Sequence, residues 1–268
     1  MGWASFREDI LSRQVSAKYG ALKKGNTVPD NKDPSGTGLK NSGPIGEKMS
    51  KLEEFTMATA RPLPVIILAD VSGSMSVNGK IDILNDAVSE MITTFAEEDD
   101  TRAEIHVAVI TFGGEGAKLH KPLESASSVS WESMAAVGHT PMGEAFTITK
   151  QLIEDRDVIP SRAYRPTIVL ISDGAPTDDW QPPLSMLLSS DRASKAARFA
   201  MGIGEDANKE TLQAFLGDNQ TRVFEAHEAR EIKKFFRWVT MSVTSRSRSA
   251  NPNSVVIAEP TDFDDFDF

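Results

Sequence analysis

The sequence predicts an α/β fold, with a doubly wound, mostly parallel central sheet that carries helices on both faces. Two observations support this class: strand and helix patterns alternate from residue 61 onward, and several strands are apolar along their whole length. Fully apolar strands are typical of a parallel sheet that helices cover on both sides. Such folds bind ligands outside the carboxyl ends of their strands, and the polar clusters of this chain fall there.

The predicted strands are short runs with apolar or alternating character. They cover residues 65–69, 105–109, 118–123, 167–171, 200–203 and 223–224. Pro122 assigns the run 118–123 to the margin of the sheet, because proline cannot donate a hydrogen bond to a neighbouring strand.

Apolar residues recur at helical spacing between these strands. The predicted helices cover residues 81–95, 142–153, 184–197 and 207–216, and a closing helix has an apolar face of Ile232, Phe235, Phe236 and Val239. Pro182 and Pro183 predict the start of the third helix, since proline is common at the first helical positions. Gly217 marks the end of the fourth.

Three regions follow from composition. Residues 1–60 contain a short amphipathic pattern and then a stretch rich in Gly, Pro, Asn and Ser, which predicts an N-terminal helix with a linker or arm. Residues 61–245 form the predicted domain. Residues 246–268 are expected to be a flexible linker and an acidic, Phe-rich tail, and the repeat Ser245-Arg246-Ser247-Arg248-Ser249 is interpreted as part of that linker.

Composition also excludes several classes of function. The chain has no cysteine, which excludes disulfides, thiolate metal sites and a cysteine nucleophile, and its four histidines make a zinc site unfavourable. A net charge of -10 argues against binding to nucleic acid or anionic lipid. Without a signal-peptide pattern or an apolar run of about 20 residues, the protein is expected to be cytoplasmic.

The most specific polar cluster follows the first predicted strand. Asp70, Ser72 and Ser74 lie within five residues. Carboxylate and hydroxyl oxygens are the ligands that hard cations such as Mg2+ prefer. Residues 138–143 and 171–174 are polar segments at the same predicted edge of the sheet, so the three segments can converge on one metal site.

Together these segments resemble a von Willebrand factor A (vWA) domain with a metal-ion-dependent adhesion site. The motifs are Asp70-Val71-Ser72-Gly73-Ser74-Met75, Gly138-His139-Thr140-Pro141-Met142-Gly143-Glu144-Ala145 and Ile171-Ser172-Asp173-Gly174. The resemblance covers about residues 61–245 and implies a Rossmann-like arrangement.

The resemblance implies a role for five side chains. Ser72 and Ser74 would bind the cation directly, and Asp70 and Asp173 would bind it directly or through water. Thr140 would join or leave the coordination sphere as the site changes state. The implied cation is Mg2+, with Mn2+ or Ca2+ as alternatives, and an acidic side chain of a partner protein would complete the coordination.

Two alternatives stay open. Asp70, Ser72 and Ser74 are also suitable residues to cap the following helix. Asp70 is also placed like the nucleophile of a metal-dependent phosphatase or hydrolase, although Ser72 stands where such enzymes carry a second aspartate. Because the chain also lacks a Gly-x-x-x-x-Gly-Lys-Ser/Thr phosphate loop, a binding protein is favoured over an enzyme.

The residues next to the motifs are expected to contact the partner. Met75, His139, Met142 and Trp180 are predicted to form the rim of the site, with Trp180 as its main aromatic anchor.

The C-terminal tail is a second candidate for binding. Its last ten residues hold five acidic and no basic residues, together with Phe263, Phe266 and Phe268. This composition suits a partner with a basic rim and a hydrophobic pocket, or docking on a metal site of the same or a neighbouring molecule. The alternative is a solvated tail that aids solubility.

The resemblance extends to bacterial intracellular vWA proteins that are encoded with tellurite-resistance, stress or defence systems. It implies an adaptor in which a metal ion captures an acidic partner, with no direct contact to nucleic acid or membrane.

Overall fold

The computed structural model describes residues 60–98, 102–217 and 222–254. Within these ranges six strands form one sheet in the order β3-β2-β1-β4-β5-β6. The strands are β1 (Arg61–Asp70), β2 (Ala103–Gly113), β3 (Gly116–Ser125), β4 (Thr167–Ser172), β5 (Ala197–Ile203) and β6 (Phe224–Ala226). The helices are α1 (Lys80–Ala96), α2 (Met142–Glu154), α3 (Gln181–Leu188), α4 (Lys209–Leu216) and α5 (Ala229–Arg248).

The sheet is parallel except at one margin. β1 pairs in parallel with β2 and β4, β4 with β5, and β5 with β6, whereas β3 runs antiparallel to β2. The predicted edge strand is therefore confirmed. Pro122 lies where the pairing of β2 and β3 shifts register, as expected for a residue without a backbone donor.

Both faces of the sheet are covered. Val65, Ile67 and Ala69 of β1 belong to the core that β1 shares with α1 and α5, while Ile66 and Leu68 alternate with them and are equally buried. On that second face α2 and α4 meet through stacked rings of Phe146 and Phe215, 5.9 Å apart. The doubly wound α/β class is thus confirmed.

β1 starts four residues earlier than predicted. Pro62 and Pro64 lie in its first half, before its pairing with β4 begins at Val65. Since one side of this segment has no strand to receive a hydrogen bond, the two prolines are tolerated there.

The helix predicted over residues 184–197 is wrong in extent. It runs from Gln181 to Leu188, and Ala197 already pairs with Thr167 in the sheet. Arg192 lies between the helix and the strand. Its guanidinium donates to the carbonyls of Ile153 and Ile159, which attaches the connecting segment to the end of α2. Apolar spacing alone did not mark this interruption.

The interpretation of the Arg-Ser repeat as a linker is also wrong. α5 continues through Arg248, and Arg246 and Ser247 are buried. Beyond the helix, Asn253 accepts a hydrogen bond from the Arg165 backbone N–H at 2.8 Å. The fold therefore includes at least residues 246–254. The N-terminal arm and the tail with Phe263, Phe266 and Phe268 lie outside the described residues.

None of the described helices has the length and hydropathy needed to cross a bilayer.

Candidate metal centre

Asp70 occupies the last position of β1 and is fully buried. Its Oδ1 accepts the Ser72 backbone N–H at 2.8 Å, and its Oδ2 accepts the Ser172 hydroxyl at 2.5 Å. Burial raises the pKa of the Asp70 carboxyl, and the hydrogen bonds from Ser172 and Ser72 oppose that shift. A buried carboxylate in this position is stabilised by any cation that reaches it.

The two serines of the first motif connect Asp70 to the end of β4. The Ser72 and Ser74 hydroxyl oxygens lie 3.0 Å apart, and Ser74 donates to Asp173 Oδ1 at 2.7 Å. Asp173 is 1% exposed. The structure thus brings four of the five predicted ligands into one chain of polar contacts.

Thr140, the fifth predicted ligand, lies at the same edge. It is buried, and its backbone N–H donates to the Thr177 hydroxyl at 3.0 Å, while its carbonyl accepts the Thr177 N–H at 2.9 Å. Its Oγ1 is next to Gly174, where an added Cβ would lie 4.0 Å from that oxygen. Thr140 is therefore held beside the residue that follows Asp173.

Backbone contacts hold the first two motif loops together. The Gly73 N–H donates to the Gly138 carbonyl at 2.9 Å, and the Val137 N–H donates to the Val71 carbonyl at 2.7 Å. Gly138 has φ +70°, and a Cβ there would approach Gly114 Cα to 2.6 Å. Glycine is thus required at this crossing for both conformation and space.

Asp178 links two of these loops and was missed in the sequence. Its Oδ1 and Oδ2 accept the backbone N–H groups of Gly143 and Glu144, each at 3.0 Å. These N–H groups open α2, so Asp178 caps that helix from a separate loop. The 35-residue separation hid this role, because sequence signals for capping are local.

Lys80 is a second residue that sequence reasoning left without a role in the site. Its Nζ donates to Asp173 Oδ2 at 2.7 Å, opposite the oxygen that accepts Ser74. The Lys80 side chain is 19% exposed and that of Asp173 is 0% exposed.

The structure corrects two residues of the predicted rim. Met75 and Met142 are fully buried, so their assignment to the rim is wrong. Both follow a motif ligand closely, but the turns direct them into the core. His139 is exposed and Trp180 is half-buried.

Among the large apolar side chains that the structure describes, two valines near the motifs are exposed. Val77 is 54% and Val137 59% exposed. Val137 also borders a cavity of about 490 Å³ that lies beside Val71 and is further lined by Gly114, Lys118 and His120.

The donor set suits a hard divalent cation. It contains two carboxylates and hydroxyl oxygens, which Mg2+, Mn2+ and Ca2+ accept as ligands. Among the described residues, no group of three or more His, Cys, Asp or Glu side chains is placed to hold a metal. Any cation at this edge therefore depends on the hydroxyl groups as well as on the two aspartates.

The fold has many structural relatives at low sequence identity. Proximal thread matrix protein 1 from the mussel byssus aligns with 70% of this chain and 49% of its own, at 16% identity and a TM-score of 0.54. A von Willebrand factor type A protein from Catenulispora acidiphila aligns over 68% and 42%, at 22% identity and a TM-score of 0.52. The ArnB paralog VWA2 from Sulfolobus acidocaldarius aligns over 68% and 46%, at 19% identity and a TM-score of 0.50.

The alignments therefore span less than half of each relative. In one structure of the mussel protein, with a TM-score of 0.50 to this chain, zinc occupies the MIDAS motif, the metal-ion-dependent adhesion site of that protein. None of the curated protein sequences matches this chain.

The sequence pattern of the von Willebrand factor type A domain matches residues 65–238, which is more than half of the chain. This range contains the whole sheet from Val65 onward and all five predicted ligands. The chain belongs to the von Willebrand factor type A domain family.

Proposed function

We propose that this protein is a metal-dependent adaptor for protein–protein interaction, in which a divalent cation captures an acidic side chain of a partner. The observation that carries the proposal is the continuous polar contact from Asp70 through Ser72 and Ser74 to Asp173. Two carboxylates and neutral hydroxyls attract a dication and leave coordination positions open, so the bound cation can still take an external carboxylate.

In this proposal Asp70, Ser72, Ser74, Thr140 and Asp173 hold the metal. Mg2+ is the favoured ion, with Mn2+ or Ca2+ as alternatives, because all five side chains offer oxygen. The zinc in the mussel protein belongs to that protein, and oxygen-only donors give zinc less preference than sites with histidine or cysteine. The metal would supply the positive charge that binds the partner's carboxylate.

The proposed rim consists of Val77, Val137, His139 and Trp180. The two valines offer apolar area beside the metal ligands, and the cavity next to Val137 can receive a side chain that flanks the captured acid. An anchored contact of this kind would add affinity and selectivity to a single carboxylate–metal bond.

The setting proposed for the adaptor is a bacterial stress-response or defence system in the cytoplasm, on the strength of the motif resemblance. The acidic tail with Phe263, Phe266 and Phe268 is proposed to dock in a basic-rimmed hydrophobic pocket of a partner. Deletion of residues 260–268 would test the tail separately: partners held by the tail should be lost whether or not metal is present.

No contact among the described residues favours the hydrolase alternative. Both carboxylate oxygens of Asp70 accept hydrogen bonds, and the side chain is fully buried. Ser72 also stands at the position where such an enzyme carries its second aspartate, the general acid.

The decisive experiment compares partner recovery with the wild type and with Asp70→Asn, each with Mg2+ and with EDTA. The wild type should recover partners only with Mg2+, and the variant under neither condition. Asp191→Asn is the matched control, since Asp191 is an exposed aspartate that pairs with Lys195. Recovery that is indifferent to both EDTA and Asp70→Asn would show that the partner docks elsewhere.

Turnover of a generic phosphoester provides the complementary assay. Sustained turnover by the wild type that disappears in Asp70→Asn would overturn the adaptor function in favour of the hydrolase.

A further inference from the structure

Lys80 contacts the carboxylate at the centre of the site. Its ammonium donates to Asp173 Oδ2 at 2.7 Å, while Ser74 holds Oδ1 of the same carboxylate at 2.7 Å. Asp173 is therefore shared between the predicted metal ligands and a positive charge that the chain itself supplies.

The position of Lys80 is electrostatically unfavourable without this contact. It is the first residue of α1, where the helix dipole favours negative charge, and Asp82 is the acidic residue of that turn. A cation at a helix N-terminus faces the positive end of the helix dipole, which disfavours it. The ion pair with buried Asp173 compensates for that placement.

The fold also provides space for the extended lysine side chain. Gly204, just after β5, has φ +81°, and a Cβ added there would lie 3.7 Å from Lys80 Nζ. The ammonium thus lies over the carboxyl ends of β4 and β5, between Asp173 and Gly204. With 19% of its side chain exposed, Lys80 is largely enclosed at this position.

We propose that Lys80 sets the charge of the metal site, so that the site holds its cation moderately and its partner's carboxylate strongly. The inference rests on the proposed function. Asp70 and Asp173 carry two negative charges, and Lys80 reduces their sum to one. A dication then leaves the loaded site with one net positive charge, which attracts an incoming carboxylate.

Without Lys80 the same dication would neutralise the site completely. The cation would be held more tightly, because one repelling charge is gone, and the attraction for an external carboxylate would fall for the same reason. Lys80 therefore weakens the binding of the metal and strengthens the binding of the partner's carboxylate. Its role is distinct from that of the ligands, since it binds neither the metal nor the partner directly.

The first measurement is the affinity for Mn2+. It is determined from the concentration of free Mn2+, which electron paramagnetic resonance reports. Lys80→Gln should lower the Kd for Mn2+ by about tenfold, the effect of one nearby charge at roughly 1.4 kcal/mol. Lys80→Arg keeps the charge and should bind Mn2+ like the wild type. Thermal unfolding of each variant reports whether the fold is intact.

The matched control is Lys209→Gln. Lys209 pairs with Glu225 at 2.7 Å, the same distance as Lys80 to Asp173, but both partners of that pair are exposed. Its removal should leave Mn2+ affinity unchanged.

The second measurement uses acetate as the carboxylate probe, at saturating Mn2+. Bound Mn2+ broadens the acetate proton resonance, and this broadening should be several-fold weaker with Lys80→Gln than with the wild type. An unchanged or weaker Mn2+ affinity in Lys80→Gln would overturn the proposal and make Lys80 a positioning residue for Asp173. Absence of Mn2+ binding by the wild type would instead contradict the proposed function itself.

Discussion

Buried charged side chains lie at both ends of the parallel strands, which are called here the amino edge and the carboxyl edge of the sheet. The two edges differ in the partners that surround these charges. At the amino edge Arg246 donates to the Pro252 carbonyl at 3.0 Å, the Arg165 carbonyl at 2.9 Å and the Thr167 hydroxyl at 2.6 Å. Burial lowers its pKa to about 10, so it stays charged at neutral pH. At the carboxyl edge Asp70 and Asp173 lie together, and their charges repel one another.

The difference separates a charge that is matched by neutral acceptors within the fold from two neighbouring charges of like sign. Arg246 donates to neutral acceptors in two segments, the start of β4 and the residues that follow α5, and so connects them to its helix. The two aspartates are like charges, and Lys80 pairs with one of them, Asp173. Such an arrangement lowers stability and favours a further cation.

The largest effect on stability is expected at the amino edge. Arg246→Met keeps much of the buried volume but leaves three oxygen acceptors without their donor, and it should lower the free energy of unfolding by about 3 kcal/mol. Denaturant unfolding measures this loss. Mn2+ affinity should stay unchanged, because the substitution lies at the opposite edge.

The control for this prediction is Arg248→Met, which removes an ion pair of the exposed Arg248 with Glu98. It should change stability by less than about 1 kcal/mol. If both variants lose the same free energy of unfolding, burial does not make Arg246 more important for stability than the exposed Arg248.

The carboxyl edge should respond in the opposite way. Asp70→Asn should weaken Mn2+ binding on the order of 100-fold, since a charged ligand is lost. The free energy of unfolding should fall by no more than about 1 kcal/mol, because the amide removes the penalty of burying a charge and keeps one acceptor oxygen. Calorimetry of Mn2+ binding and denaturant unfolding on the same variant test both halves.

A large loss of stability in Asp70→Asn would erase the contrast between the two edges. It would show that Asp70 is a structural charge of the same kind as Arg246.

Smaller effects on both stability and Mn2+ affinity are expected at Asp178, because it caps α2 and also lies next to the predicted metal ligands. Asp178→Ala uncaps α2 and should lower the free energy of unfolding by about 1 kcal/mol. It should also weaken Mn2+ binding a few-fold, because α2 follows directly on the Thr140 loop. Asp179→Ala is the neighbouring control and should change neither quantity. An unchanged Mn2+ affinity with Asp178→Ala would show that the cap supports the fold alone.

The smallest effect is expected at the rim. Val137→Ser removes exposed apolar area and should reduce partner recovery a few-fold at saturating Mg2+ without changing Mn2+ affinity. Val158→Ala, which thins the core away from this rim, serves as a control for nonspecific loss. Full recovery with Val137→Ser would remove Val137 from the proposed contact surface.

The sequence predicted the fold class and the convergence at the carboxyl edge because both depend on order along the chain. The apolar run of β1 and the polar residues after it are contiguous, and parallel strands place their carboxyl ends together. The direction of Met75 and Met142 could not be inferred in this way. Each is adjacent to a predicted ligand, and only the turn geometry decides whether such a neighbour faces solvent or the core.

The role of Arg246 was missed for a related reason. Its local sequence alternates with serine and is typical of a linker, whereas its partner Thr167 lies 79 positions away. Long-range hydrogen bonds of this kind leave no periodic signal in the chain. Asp178 and Lys80 are further cases, since each acts on a residue that the fold alone brings near.

The segment from Asp173 to Asp178 has a mechanical consequence for the site. Its first residue is one predicted ligand, Thr177 is bonded twice to the backbone of another, Thr140, and Asp178 holds the first turn of α2. Thr140 and Asp173 are therefore mechanically connected through this short segment. In the proposed function, force applied through a captured partner would be shared between the ends of two elements, β4 and α2.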